Sequence, residues 1–316
     1  MTSTERFSIT ARATGDSAEF DRQGVFGMKV RIAVGVLLAL FAIGMLVCAG
    51  YGYEEVMTIP AALLSGLCVH EIMGVSGCKN KALTRIMVTF SVCLCAYAAL
   101  DLGKYVPVSG LVIVAVFVLA VLILMLKMYN VTRFEHVAIG VFASVAVSLA
   151  MATVVMTVHF LEQFPVLFCR SNIIFLLLMP MFCAWLCDTF ALFFGKAFGK
   201  HKLAPTISPN KSVEGAVAGV VGTTVSSLIA FFICDRFFFG TDTIRWWMIL
   251  AYIPVLCIMG MCGDLAASVI KRNYGVKDFG TLFPEHGGAM DRVDSFLFTM
   301  PSMYLTLRIL LSILVK

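Results

Sequence analysis

Long apolar stretches run almost unbroken along this chain, and polar residues collect between them. Residues 32–53, 105–126, 137–161, 171–187, 215–234 and 246–263 contain no Asp, Glu, Lys or Arg. Crossing the hydrocarbon core of a bilayer takes about 20 mainly apolar residues. The runs are too long for barrel strands, which are roughly 10 residues and alternate apolar with polar. In lipid, only helices and closed barrels satisfy their own backbone. The pattern therefore predicts an all-α polytopic integral membrane protein with about nine transmembrane helices. They fall at roughly 32–52, 57–76, 86–103, 107–126, 136–158, 172–194, 213–234, 246–264 and 295–314. The third is the least clear, because Asp101 and Lys104 crowd its end.

Composition supports the pattern. Of 316 residues, 60% are hydrophobic and 14% charged. A soluble domain carries about 25% charged residues, so this chain could not cover its own surface in water. Disorder, collagen, coiled coil and small disulfide scaffolds fail on the same count. The eleven cysteines are scattered through the apolar runs without a C-x-x-C or metal-type spacing, and read as small buried hydrophobes.

Charge sets the orientation. The tail carries Arg6, Arg12, Arg22, Lys29 and Arg31, and each even-numbered loop is more basic than its odd-numbered neighbours. By the positive-inside rule the N-terminus is cytoplasmic and the C-terminus lies outside. The sixth and eighth loops, the two longest, are cytoplasmic. Three regions follow: a polar cytoplasmic tail at 1–31, plain transmembrane helices at 32–160, and a C-terminal transmembrane region at 161–316 that holds most of the unusual polar groups.

Ionisable residues where lipid should exclude them are candidates for function. His70-Glu71 lies near the cytoplasmic end of the second span, as an interfacial pair that reaches water or as a functional one. Asp188 sits in W-L-C-D-T-F, with Lys196 the next basic residue, and must face protein or a polar cavity. The segment from Gly263 to Ser295 is the richest. Asp264, Ser268 and Lys271 are spaced i, i+4, i+7, so a helix continuing past the membrane puts them on one face, with Arg272 beside them. Asp291 and Asp294 share a face at the start of the ninth helix. Between the two lies a polar loop with Pro284, His286, Gly287 and Gly288.

Converging carboxylates repel one another unless a cation joins them, and oxygen-only ligands favour Mg²⁺ over zinc. Nearby Lys and Arg would repel that cation unless phosphates fill the space, and glycines let backbone N–H groups approach phosphate. This set describes a nucleoside triphosphate site at a membrane surface; a solvated juxtamembrane loop has the same composition. The sixth loop, basic and broken by Gly and Pro, contains the turn Ser208-Pro209-Asn210-Lys211 but lacks the P-loop pattern. Attraction to anionic headgroups explains its charge but not that turn.

Residues 268–294, S-V-I-K-R-N-Y-G-V-K-D-F-G-T-L-F-P-E-H-G-G-A-M-D-R-V-D, resemble the signature of the phosphatidate cytidylyltransferase (CDP-diacylglycerol synthase) family. The pattern S-x-x-K-R-x-x-x-x-K-D followed by H-G-G-x-x-D-R-x-D is complete. Residues 187–215 are similar to the family's other cytoplasmic segment. The N-terminal half matches only as spans, plus an acidic residue near His70-Glu71. The chain departs at Ala267, Phe190 and Val213, where the family commonly has Glu, Gly and Trp.

The resemblance implies transfer of CMP from CTP to phosphatidate, giving CDP-diacylglycerol and pyrophosphate, with Mg²⁺ required and a second cation conceivable. Asp264, Lys271, Arg272, Asp291 and Asp294 are the implied catalytic residues. Asp264, Asp291 and Asp294 are the implied metal ligands. Asp188, Ser208, Asn210, Lys211, Ser268, Lys277, His286, Gly287 and Gly288 are the implied substrate contacts. It further implies a homodimer in a bacterial inner (plasma) membrane, a site facing the cytoplasm, CTP and phosphatidate as partners beside the bilayer, and no nucleic acid. The competing readings are a CTP-dependent polyprenol-type lipid kinase, a CDP-archaeol-type synthase and an ion-coupled transporter. Against the transporter, the ionisable residues gather at one membrane face, and no inverted repeat is evident.

Overall fold

Eight helices of the described residues are long and apolar enough to cross a membrane. The structure, a computed structural model, describes residues 35–36, 40–41, 43–45, 47–48, 51, 53–104, 108–165, 167–239, 244–282 and 287–314. The helices are α1 (Glu54–Val75), α2 (Lys81–Ala99), α3 (Gly110–Lys127), α4 (Phe134–Glu162), α5 (Arg170–Phe198), α6 (Val213–Phe237) and α7 (Trp246–Asn273). The short α8 (Met290–Val293) runs into α9 (Phe296–Leu314). These match eight of the nine expected spans; the first, 32–52, lies for the most part outside the described residues. The molecule is thus an all-α, multi-pass membrane protein.

One element departs from all-α. Between α5 and α6 the basic loop folds into a hairpin of β1 (Lys202–Ala204) and β2 (Ser208–Ser212), antiparallel, with Lys202 opposite Ser212 and Ala204 opposite Ser208. Ser212 then caps α6 by accepting from the Gly215 N–H at 3.1 Å. The turn read from the sequence at Ser208–Lys211 is therefore a strand, held in line with the helix it enters.

Two apolar clusters fill the interior. One joins α5, α6, α7 and α9 through Leu176, Leu177, Phe231, Ile249, Ile253, Leu256, Met300 and Met303. The other joins α1, α2 and α4 through Val69, Met73, Met87, Met151 and Val155, and takes in Ala267, Phe279, Ala289 and Met290 from the C-terminal half. Lipid tails are as apolar as these side chains, so close packing and interhelical hydrogen bonds must hold the bundle. Buried serines supply them in the second cluster. Ser91 meets Ser148 at 2.8 Å and Ser65 at 3.2 Å, and Ser144 donates to the Met87 carbonyl at 3.1 Å. Such bonds contribute roughly 0.6 kcal/mol each on average. Asn80 caps α2, accepting from the Ala82 and Leu83 N–H groups, and donates to Thr132 Oγ1 at 2.9 Å.

Small residues bring the site's elements together. A Cβ on Gly215 would stand 2.6 Å from the Ala191 carbonyl oxygen, and one on Gly219 would stand 2.8 Å from that of Cys187. The spacing G-x-x-x-G on α6 thus lets it lie directly on α5, beside Asp188. On α7, a Cβ on Gly263 would stand 2.6 Å from the Asp294 carbonyl oxygen. That contact draws the start of α9 against α7, next to Asp264.

Candidate active site

The helix α7 continues to Asn273, as the spacing of its polar residues anticipates, and carries Asp264, Ser268 and Lys271 along one side. Asp264 and Lys271 each meet a partner from another element. Lys211, at the end of β2, places its ammonium against Asp264 Oδ2. Lys271 Nζ lies 2.8 Å from Asp291 Oδ1 and 5.4 Å from the centre of the Phe279 ring. Asp188 on α5 is within electrostatic reach of Lys211 and Asp264. Asp294 is within reach of Asp264, Lys271 and Asp291. Four carboxylates and two ammonium groups from α5, β2, α7, α8 and the α8–α9 junction therefore form one cluster at one end of the bundle.

The Asp291 end is enclosed and held from several sides. Its side chain is 4% exposed, against 12% for Lys271. Besides Lys271, Asp291 accepts at Oδ2 from the N–H groups of Phe279 at 2.8 Å and Gly288 at 3.0 Å. Three of a carboxylate's roughly four acceptor positions are thereby used. Gly287 adopts φ of +80°, a left-handed conformation that favours glycine, and a Cβ there would stand 3.0 Å from Asp291 Oδ2.

The loop is also held from the N-terminal half. Glu71 on α1 accepts from the N–H of Ala289 at Oε1, 2.8 Å, and from that of Met290 at Oε2, 2.9 Å. Three successive amides, from Gly288 to Met290, are thus shared between Asp291 and Glu71. The sequence assigns the Gly287-Gly288 backbone to phosphate; here the Gly288 N–H is given to Asp291. His70, the neighbour of Glu71, is exposed. Glu71 stood among the sequence candidates without its partners; a second anchor, Glu214, did not stand among them. Glu214, in the first turn of α6, accepts from the Lys200 N–H at 3.0 Å and the His201 N–H at 3.2 Å, and lies 2.6 Å from His201 Nδ1. It fixes the base of the hairpin that carries Lys211. An acidic residue opening a helix was the one available signal for it.

Ser268 is half-buried between Asp264 and Lys271 on α7. Ser208 is half-buried and Asn210 exposed on β2. Lys277 is exposed, and Arg272 is exposed with Nη1 3.4 Å from the Val276 carbonyl oxygen. Ala267 is buried at 2% exposure in the α1–α2–α4 cluster, so it faces away from water. Phe190 lies over Gly222, where a Cβ would stand 2.8 Å from its ring. His286 lies outside the described residues.

The donor set can be compared with the implied metal. Among the described residues no group of three or more His, Cys, Asp or Glu side chains stands ready to hold an ion. Mg²⁺ does not need such a cage, since it keeps several waters and is usually bound by one or two carboxylates plus substrate phosphates. Asp264 and Asp294, neighbouring and oxygen-only, fit that requirement in kind.

Fold and site together define a multi-pass membrane protein with a cluster of ion pairs at one end of its bundle. Residues 29–310 match the cytidylyltransferase family, and the chain belongs to that family. A phosphatidate cytidylyltransferase of Staphylococcus haemolyticus is 39% identical over 138 residues, 44% of this chain and 51% of that protein. One from Staphylococcus saprophyticus is 41% identical over the same shares. In these relatives the match spans about half of their length. One from Staphylococcus epidermidis is 28% identical over 89% of this chain and 99% of its own.

Proposed function

We propose that this protein transfers CMP from CTP to phosphatidate, releasing pyrophosphate and forming CDP-diacylglycerol for phospholipid synthesis. The observation that carries the reading is the cluster in which Lys211 meets Asp264 and Lys271 meets Asp291 at one end of the bundle. It supplies both signs of charge, as two polyanionic substrates and a cation require. Membership of the cytidylyltransferase family and the names of the relatives support the choice of substrates.

In this reading a phosphate oxygen of phosphatidate attacks the α-phosphorus of CTP. The new P–O bond forms as the bond to the bridging oxygen breaks, and that electron pair leaves with pyrophosphate. The nucleophile is already anionic, so no strong base is needed. The task is to bring two polyanions together and hold them in line. Lys211 and Lys271, with Arg272 and Lys277 at the exposed rim, bind phosphate oxygens. Ser208, Asn210 and Ser268 offer hydrogen bonds. Asp188 orients Lys211. Asp264, Asp291 and Asp294 would hold Mg²⁺; a second cation belongs to the same proposal. What the ion supplies when bound is neutralisation of triphosphate charge.

The same proposal places the site at the cytoplasmic face of a bacterial plasma membrane, where CTP is dissolved and phosphatidate headgroups lie. The basic even-numbered loops support that orientation. A homodimer follows from the family resemblance, and its mass in detergent tests it. The activity is tested with purified protein by pyrophosphate release: it should require CTP, phosphatidate and Mg²⁺ together. Release without lipid would contradict the transfer.

A further inference from the structure

We infer that Glu71 is a positioning residue for the transfer proposed above, on which this inference rests. Its two oxygens receive two successive backbone N–H groups, Ala289 at 2.8 Å and Met290 at 2.9 Å, from a loop 218 and 219 residues away in sequence. The next residue is Asp291, which holds Lys271. Glu71 therefore fixes the short segment from which Asp291 and Asp294 project, and it does so from the helix bundle of the other half.

Two glycines are shaped around this carboxylate. A Cβ on Gly280 would stand 2.6 Å from Glu71 Oε1, and one on Gly288 would run into Oε2. No side chain fits at either position while Glu71 occupies its place. Bonds from backbone N–H groups to an ionised carboxylate are roughly twice as strong as neutral ones. A glutamine cannot replace them: its oxygen accepts from one amide, and its NH₂ then faces the other N–H donor. The hydrogen bonds that Glu71 makes across the fold, among the described residues, go to backbone amides. Its effect passes through the geometry of Asp291, and small misplacements of such groups are costly to rate.

The experiment compares wild type, Glu71→Gln, Glu71→Ala, Gly288→Ala and the double variant Glu71→Ala/Gly288→Ala in CTP-to-phosphatidate transfer, normalised to folded protein by size-exclusion chromatography. Glu71→Gln should lower kcat about 10- to 100-fold while the KM for CTP stays within about twofold. Gly288→Ala should impair the wild type more than it impairs Glu71→Ala, because the clash is with Glu71 itself. Wild-type kcat in Glu71→Gln would overturn the inference, as would a loss wholly matched by lost folded protein, or additive effects of the two Ala changes. A wild type that transfers no CMP overturns the function reading and the catalytic role together. Amide exchange at Ala289 and Met290, faster in Glu71→Gln, then still separates a real clamp from none.

Discussion

The ammonium of Lys211 rests against the carboxylate of Asp264, and this contact joins the β-hairpin to α7. It ties the sixth loop, whose basic charge alone could serve anionic lipid, to the carboxylates of the eighth and ninth spans. Asp264→Asn keeps the size and removes the charge. It should lower turnover by at least about 100-fold, the scale of losing one preorganised electrostatic contact, while the protein still elutes as a single species in detergent. Asp294→Asn should behave alike. Turnover against Mg²⁺ concentration checks both.

Lys271 and Asp291 form the most enclosed ion pair among those described. Removing one partner from a buried pair leaves an uncompensated charge and costs about 3–5 kcal/mol. Lys271→Met and Asp291→Asn should therefore lower the unfolding temperature as well as abolish turnover. Because Asp291 also binds the N–H groups of Phe279 and Gly288, its loss should be the more destabilising of the two. Thermal unfolding in detergent reads the order.

Gly263 lets α7 approach the carbonyl of Asp294. Gly263→Ala adds a methyl group against backbone, which cannot swing aside, and overpacking of this kind costs about 1–3 kcal/mol. The start of α9 must shift away from Asp264. Activity should fall far more than expression does, whereas Gly44→Ala, with open space around its Cβ position, should leave both unchanged. Assays on the two variants in parallel make the comparison.

Glu214 fastens Lys200 and His201 at the base of the hairpin. Glu214→Ala frees a segment rich in trypsin sites. Limited digestion should cut at Lys200 or Lys202 faster than in wild type, and the KM for CTP should rise more than kcat falls. Equal digestion rates would show that the carboxylate holds nothing in place.

Eight of the nine spans were legible because membrane crossing imposes a length and a polarity that no local exception hides. The face shared by Asp264, Ser268 and Lys271 was legible for a similar reason: helical spacing is fixed, and α7 does continue to Asn273. What could not be read was long-range choice of partner. Nothing near Glu71 in sequence indicates that it binds amides 218 and 219 residues later. Gly288 carries the same ambiguity. A glycine beside a charged loop suits the approach of phosphate, yet here it makes room for Glu71. The hairpin was missed because Ser-Pro-Asn-Lys has turn composition, and only the pairing with Lys202–Ala204 makes it a strand.

The central claim is transfer of the cytidylyl group, and the position of a label tests it most directly. Purified protein in phosphatidate-containing membranes is given Mg²⁺ and CTP labelled at either the α- or the γ-phosphate. The account expects α-label in the lipid and γ-label in released pyrophosphate. Lipid labelled only from the γ-position would contradict it and make the protein a lipid kinase.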